Sequence, residues 1–464
     1  MTRDTRHLID TLALAARLKG GRALLVGGSV RDAIMGREVK DIDIEVFGMS
    51  PESLLTLLQS FGEVNTVGSS FGVYKLSVGG ETFDVSIPRR DSKVGKGHKG
   101  IAVVGDPTMT VEDAARRRDF TINAISYDPL TGEHLDPFDG RGDIERQVLR
   151  VVDPLTFVDD SLRVLRAVQF AARFGFGIEA ASAVLMCQID LSDLPAERVW
   201  GEFEKLLLAD KPSVGLHWMF RLRVLDRLFP ELAAMVGVQQ EPEWHPEGDV
   251  WTHTLQVVDE ARHIVRAAGD GWSKAQKLTV MLAALCHDLG KPATTKFEDG
   301  RWRALGHAEA GIAPTTALLA RLNVQTIDGY DVRSQVAALV DYHLLPHEWH
   351  RVIRAGDKIA ASAFRRLSRK VDLLLLAAVA MADSDGRHPK PIDHSGTDWF
   401  IDMVNTLDLS DGPPPSLLMG RHLIELGLTP GPDFGRIIAA VFERQLDGSV
   451  ATVEEAIAAA KEMI

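Results

Sequence analysis

The stretch Leu24-Leu25-Val26-Gly27-Gly28-Ser29-Val30-Arg31-Asp32, followed by Asp41-Ile42-Asp43-Ile44-Glu45-Val46, constrains this chain more than any other. An apolar run ending in a Gly-Gly pair predicts a buried strand, a tight turn and a helix start. Then acidic and β-branched residues alternate. In a strand, alternation puts Asp41, Asp43 and Glu45 on one face and Ile42, Ile44 and Val46 on the other. The apolar face belongs against a core. The acidic face aims carboxylates into one volume, an arrangement that a hard divalent cation such as Mg²⁺ relieves. The free N–H groups of the helix start behind Gly27 and Gly28 suit phosphate oxygens. A phosphate cradle beside Mg²⁺-binding carboxylates is equipment for phosphoryl or nucleotidyl transfer. A Gly-Gly pair alone is usually only a turn, and an Asp-x-Asp pair alone is usually a solvated strand face. Their order and spacing together carry the reading.

Four further segments extend this pattern: Arg117-Arg118-Asp119-Phe120-Thr121-Ile122-Asn123-Ala124, Asp136-Pro137-Phe138-Asp139-Gly140-Arg141-Gly142-Asp143, Asp159-Asp160-Ser161-Leu162-Arg163 and Glu197-Arg198-Val199-Trp200-Gly201-Glu202-Phe203-Glu204-Lys205-Leu206. With the opening motif they resemble the class II tRNA nucleotidyltransferases, the family of CCA-adding enzymes and bacterial poly(A) polymerases. The resemblance spans most of residues 20–210. It implies a small mixed-sheet, polymerase-β-like head followed by mostly helical domains, an α+β protein. It implies that Asp41 and Asp43 are catalytic and hold Mg²⁺, and that Gly27, Gly28, Arg31, Arg118, Asp119, Asn123 and Arg166 contact nucleotide. Asp160 and Arg163 are expected to read the incoming base. The first position of their motif is Asp159, where the family usually carries Glu, and Phe203 alters the usual Glu-Leu pattern of the last motif.

Helical spacing of Val158, Leu162, Leu165, Val168 and Ala172 predicts a helix over 158–173, which makes Asp160 and Arg163 surface neighbours. A carboxylate accepts from an exocyclic amine and a guanidinium offers a rigid donor fork. Without the other motifs, an ordinary surface ion pair describes them equally well. Asp84, in Thr82-Phe83-Asp84-Val85-Ser86, lies on another predicted strand and is a candidate third carboxylate or a strand-edge Asp. The segment from Arg89 to Gly100 is rich in Arg, Lys and Gly and reads as a mobile basic loop.

The second half carries another constellation: His253 in Trp251-Thr252-His253, then His287-Asp288 after an apolar run from Leu278, then Ala382-Asp383. This pattern resembles the HD phosphohydrolase superfamily. His253, His287, Asp288 and Asp383 are expected to bind a metal, and imidazole with carboxylate suits a divalent transition ion such as Ni²⁺, Mn²⁺, Co²⁺ or Fe²⁺. His307 and His343 fall where such domains place additional histidines, for a second metal or the substrate phosphate. A buried unpaired Asp costs several kcal/mol, so a metal is the simplest compensation for Asp288. Lys291 is a candidate phosphate contact, and His245 is read as structural. The stretch Glu241 to Thr254 resembles the start of the HD domain in bacterial CCA-adding enzymes that carry one.

A length of 464 residues calls for several cores. The expected domains are a head at 1–150, a helical neck and body at 151–240, an HD domain at 241–390 and a helical tail at 391–464, with Pro389, Pro391 and Pro413-Pro414-Pro415 marking linkers. No apolar run reaches membrane-spanning length, and two cysteines suit reduced core thiols, so the cytoplasm is expected. A net charge of −13 is awkward for binding RNA, yet phosphate contacts need only local Lys and Arg. Arg116 to Arg118, the segment from Arg89 to Lys99, Arg163 with Arg166 and Arg173, and Arg221 with Arg223 are the candidate patches. The expected partners are tRNA, CTP and ATP, without a membrane or an obligate protein partner. The expected activities are template-independent addition of CCA to tRNA and hydrolysis of 2′,3′-cyclic phosphates and 2′-phosphates. The alternatives are CC-only, A-only or poly(A) addition with an HD scaffold that merely binds RNA.

Overall fold

The computed structural model describes residues 2–39, 41–66, 73–93, 101–388 and 393–464. Residues 94–100 of the basic segment, with Pro389 and Pro391, lie outside the described residues. Two compact units divide the chain, Met1–Leu228 and Phe229–Ile464.

In the first unit, helix α1 (Arg3–Leu18) is capped by Thr2 and buries Ile9, Leu12, Ala13 and Ala16. It is followed by β1 (Arg22–Val26), α2 (Gly28–Ile34), β2 (Ile42–Phe47), α3 (Pro51–Gln59), β3 (Glu63–Asn65), β4 (Val73–Val78) and β5 (Glu81–Ser86). A hairpin, β6 (Arg89–Lys93) and β7 (Ile101–Gly105), leads to α4 (Val111–Arg116), β8 (Ser126–Asp128) and β9 (Glu133–Leu135). The sheet order is β3-β4-β5-β2-β1-β8-β9. Only β2 and β5 run parallel; every other pairing in this sheet is antiparallel.

Period-two burial builds two layers. Ala23 and Leu25 of β1 join Ile42, Ile44 and Val46 of β2 in the core beneath α1 and α3. Leu24, Val26 and Phe47 face the other way, against Met109 and Ala114. Each fully buried aliphatic side chain contributes about 1.5–3 kcal/mol, so β2 is held with its polar residues on the opposite face. The expectation of a loop from Arg89 onward is corrected at its ends, because Arg89–Lys93 pairs with Ile101–Gly105 through a full ladder. Backbone pairing there outweighs a composition poor in apolar residues.

Helices dominate after the sheet: α5 (Gly140–Arg146), α6 (Pro154–Phe157), α7 (Leu162–Phe174), α8 (Ala180–Gln188), α9 (Ala196–Leu207) and α10 (Pro212–Arg221). Gly215 lets α10 approach α7 closely, since a Cβ there would lie 2.6 Å from the Val168 carbonyl oxygen. The helix predicted over 158–173 begins only at Leu162. Val158 is 41% exposed and Asp160 sits in the preceding turn, where its carboxylate accepts from the Leu162 N–H.

In the second unit, helices span Val250–Ala267, Lys274–Cys286, Ile312–Arg321, Val332–Tyr342, Leu345–Arg354, Ala361–Ser368, Leu373–Asp385 and Ser395–Thr406. From Leu278 to Cys286 every residue is buried, as an all-round apolar helix requires. Residues 229–240, expected with the neck, pack into this unit instead. Their ties are Val238 O to Val250 N–H at 3.0 Å and Glu231 to Arg321. The terminal helices Gly420–Glu425, Pro432–Asp447 and Val453–Lys461 close over a small core of their own around Leu423, Val441 and Ala460.

Candidate active sites

The first site is a cleft of about 780 Å³ bordered by the Gly27-Gly28 turn, Asp41, Asp43, Arg118, Asp119, Asn123 and Arg166. Gly27 adopts φ +70°, a conformation that calls for glycine, and a Cβ there would lie 2.8 Å from the tip of the Arg118 side chain. Asp43 is half-buried, and the parallel register sets it beside Asp84. Burial pushes the Asp43 carboxyl up against the pull of Arg118, and Asp84 and Asp41 add to the rise. This is the like-charge cost that a divalent cation removes, so the acidic group fits Mg²⁺. Asp84 is held by Lys75 at 2.9 Å.

Glu45 shares the acidic face of β2 but does not border the cleft. It is 2% exposed and accepts from Arg117 at 3.1 Å, with Arg118 at 3.7 Å. It anchors cations beside the cleft and is withdrawn from the group that faces it. The other nucleotide-site residues are wired in the same way. Asp119 accepts from the Phe120 N–H, from Asn123 and from Arg166, each at 2.8 Å. Burial raises its pKa, but Arg166 and Asn123 outweigh that and leave it below the usual range. Arg31 donates to Asp32 at 2.8 Å and to Asn123 at 2.5 Å, and lies over the rings of Phe170 and Phe174. Burial pulls its pKa down against the Asp32 charge.

Asp160 and Arg163 meet through the backbone, Arg163 N–H to the Asp160 carbonyl at 3.0 Å, while their side chains turn to other partners. Asp160 accepts from Arg198 at 3.2 Å. Arg163 donates to the carbonyls of Thr156 and Arg117, at 2.9 and 2.8 Å. The arginine patches read from the sequence carry ion pairs at the surface: Arg116 meets Glu112, Arg173 meets Asp32 and Arg223 meets Asp226.

The second site is assembled from helix ends. His287 caps Lys274–Cys286, His343 caps Val332–Tyr342, and His307 opens the helix His307–Ala310. Each holds Nδ1 against the carbonyl three residues earlier: Ala284 at 2.8 Å, Val340 at 2.7 Å and Ala304 at 2.8 Å. A carbonyl only accepts, so every Nδ1 carries hydrogen and each neutral Nε2 presents a lone pair. These lone pairs converge on acceptors. Nε2 of His307 and of His343 are 3.4 Å apart, and His307 Nε2 is 3.5 Å from Asp288 Oδ1. Nε2 of His287 lies 3.3 Å from Asp288 Oδ2 and 3.8 Å from Asp383 Oδ1, with no hydrogen bond. His253 Nε2 is 3.0 Å from Asp383 Oδ1. Acceptor facing buried acceptor is repulsive unless a cation or proton sits between, so this donor set fits metal ions.

Two groups of ligand atoms gather within 4.8 Å, His253 with His287 and Asp383, and Asp288 with His307 and His343. Burial pushes the His343 imidazole down to about 3, with His287 adding to the fall, which keeps it neutral. Burial opposes the charge on Asp288 and Asp383, but neighbouring groups, among them the cations Lys291 and Arg387, hold both well below the usual carboxylate range. Lys291, expected at a phosphate, is buried and instead donates to Gln240 at 2.6 Å and pairs with Asp288 at 2.7 Å. Arg387 donates to Asp383 Oδ2 at 2.7 Å. His245, read as structural, joins a third group with Glu247 and His253. Sequence reasoning missed Glu247, Arg387 and Gln240; only the segment Trp244-His245-Pro246-Glu247-Gly248 offered a signal.

Fold and sites together define a nucleotidyltransferase head joined to an HD unit. Comparison with known proteins agrees. Residues 23–150 match the family described as poly A polymerase head domain, residues 175–236 the probable RNA and SrmB-binding site of polymerase A, and residues 250–385 the HD domain. A multifunctional CCA protein of Stenotrophomonas maltophilia is 41% identical over 374 residues, 78% of this chain and 86% of the relative. Another, of Xanthomonas campestris, is 37% identical over 377 residues, 78% and 85% of the two chains. Among solved structures, a CCA-adding enzyme of Bacillus stearothermophilus in complex with CTP superposes with a TM-score of 0.62 at 20% identity. It covers 100% of this chain and 98% of that one. The chain belongs to the class II tRNA nucleotidyltransferase family, in the group with a C-terminal HD domain. Among the described residues, no helix is long and apolar enough to cross a membrane.

Proposed function

We propose that the head adds C and A nucleotides to the 3′ end of tRNA without a template, using CTP and ATP, in the cytoplasm. The observation that carries this is the single cleft in which the Gly27-Gly28 turn, Asp41 and Asp43 meet the arginines anchored by Glu45 and Asp119. Relatives named multifunctional CCA proteins support it, as does a Thermotoga maritima CCA-adding enzyme solved with tRNA, similar to this chain at a TM-score of 0.60. Mg²⁺ held by Asp41 and Asp43 supplies charge neutralisation at the reacting phosphates. The residues of the chain supply position. The N–H groups behind Gly27 and Gly28, with Arg118 and Arg31, bind the triphosphate; Glu45 pairs with Arg118, and Asn123, itself bonded to Asp119, accepts from Arg31. Asp160 and Arg163, released from Arg198 and from the two carbonyls, select the base. Such catalysis is mostly orientation and electrostatics. The test is CMP and AMP incorporation into tRNA by wild type and by Asp43→Ala. Loss of both supports the reading, and full retention overturns it.

The HD unit is proposed to hydrolyse phosphate esters at RNA ends, 2′,3′-cyclic phosphates and 2′-phosphates. The Nε2 atoms of four histidines gathered beside Asp288 and Asp383 carry this reading. His253, His287 and Asp383 would hold one transition-metal ion and Asp288, His307 and His343 a second. Such ions supply Lewis acidity and acidify water. Arg387 and Lys291 keep the two carboxylates charged and oriented. Substrate reaches them through a cleft of about 430 Å³ lined by His245, His307, Lys291, Arg387 and Trp244. Hydrolysis of a 2′,3′-cyclic nucleotide, lost in His287→Ala, supports this. An inert wild type that holds metal favours the scaffold alternative.

A further inference from the structure

Glu247 stands outside both proposed ligand sets. It lies in the turn before the helix Val250–Ala267, and its side chain is 0% exposed. Its Oε1 lies 2.8 Å from Nδ1 of His245 and 2.8 Å from Nδ1 of His253. Among the described residues these two imidazoles are its ion-pair partners. The other three ring systems take their orientation from a backbone carbonyl three residues earlier. For His253 that carbonyl belongs to Val250, and it already accepts from the Thr254 hydroxyl at 2.8 Å. A carboxylate stands in its place at ion-pair distance, off the angle of a hydrogen bond to Nδ1.

The consequence falls on Nε2. An ionised carboxylate only accepts, so a hydrogen on Nδ1 of His253 toward Glu247 leaves Nε2 to give its lone pair to a metal. That atom faces Asp383 Oδ1 at 3.0 Å, where a cation completes the contact. His245 Nδ1 donates to the same oxygen from the cleft side and closes it against solvent. Its ring packs edge-on to His253 with centroids 4.8 Å apart.

We propose that Glu247 is a positioning residue for the HD metal centre: it fixes the tautomer and ring orientation of His253 and raises its donor strength, while His245 locks Glu247 in place. This rests on the reading that His253 is a metal ligand.

The test is titration of the intact metal-free protein with Co²⁺ alone, followed by visible absorption and by calorimetry, for wild type, Glu247→Gln, Glu247→Ala and His245→Ala. Circular dichroism checks folding, and the Gln variant keeps the shape if the Ala variant does not fold. Removing a ligand's outer partner weakens metal affinity by about 10–100-fold. The expected result is such a loss in Glu247→Gln at unchanged stoichiometry, with a smaller loss in His245→Ala. Wild-type affinity in both Glu247 variants overturns the proposal. Loss of one equivalent of Co²⁺ in Glu247→Gln also overturns it, because Glu247 is then a ligand. A wild type that binds no Co²⁺ at the imidazoles overturns the underlying metal reading itself.

Discussion

The two sites solve the problem of holding cations in opposite ways. In the head, cleft-facing Asp41 and Asp43 remain, with Asp84 tied to Lys75, while buried carboxylates fasten arginines around the opening. The groups built in advance are those proposed to meet phosphate. In the HD unit the groups built in advance are those that meet metal: three rings pinned through Nδ1 to backbone and a fourth to Glu247. An open site suits an ion that arrives with its nucleotide. A closed, imidazole-rich site suits a resident ion.

Chelation is the broadest way to break this comparison. Brief exposure to a chelator followed by excess Mg²⁺ should restore nucleotide incorporation fully, while transition metal measured by elemental analysis stays with the protein. Equal loss from both sites would erase the distinction. Next, Asp41→Ala should lower CMP incorporation at least about a hundredfold, the scale of losing one group that stabilises developing charge, with metal content unchanged. His287→Ala should do the reverse, emptying the HD centre while tRNA extension stays within about twofold.

A smaller effect sharpens the account of the head. Glu45→Gln leaves Arg117 and Arg118 without their buried counter-charge. Breaking such a pair costs about 3 kcal/mol, so denaturant unfolding of the first unit should shift and KM for CTP should rise. An unchanged KM would separate Glu45 from the cleft. Smallest is a labelling result. Cys286 is 0% exposed, and burial pushes its thiol up to about 12, so a thiol reagent should modify only Cys187 in the native protein. Native labelling of two thiols would contradict the packing of the helix that delivers His287.

The sequence exposed most clearly what is local. The strand, Gly-Gly turn and acidic alternation were readable because periodicity and turn chemistry act within a few residues, as was the apolar helix before His287. What depends on register or on long-range pairing was not readable. Asp84 stands beside Asp43 only because β2 and β5 run parallel, with β5 distant in sequence. Glu45 read only as a member of the acidic face, and the arginines that pair with it lie on a later segment. Asp160 and Arg163 looked like helix neighbours because the apolar spacing carried through Val158, but Asp160 lies in the turn before the helix and its carboxylate bonds the Leu162 N–H and Arg198. Glu247 was hidden because an outer partner of a ligand leaves no spacing pattern of its own.

The most direct measurement is extension of tRNA lacking its 3′ end, with Mg²⁺ and with CTP and ATP singly and together, resolved on a sequencing gel. The account predicts two residues with CTP alone and three, ending in A, with both. Growth that stops after two residues with both nucleotides, starts only on tRNA already ending in CC, or runs on as poly(A) would contradict it.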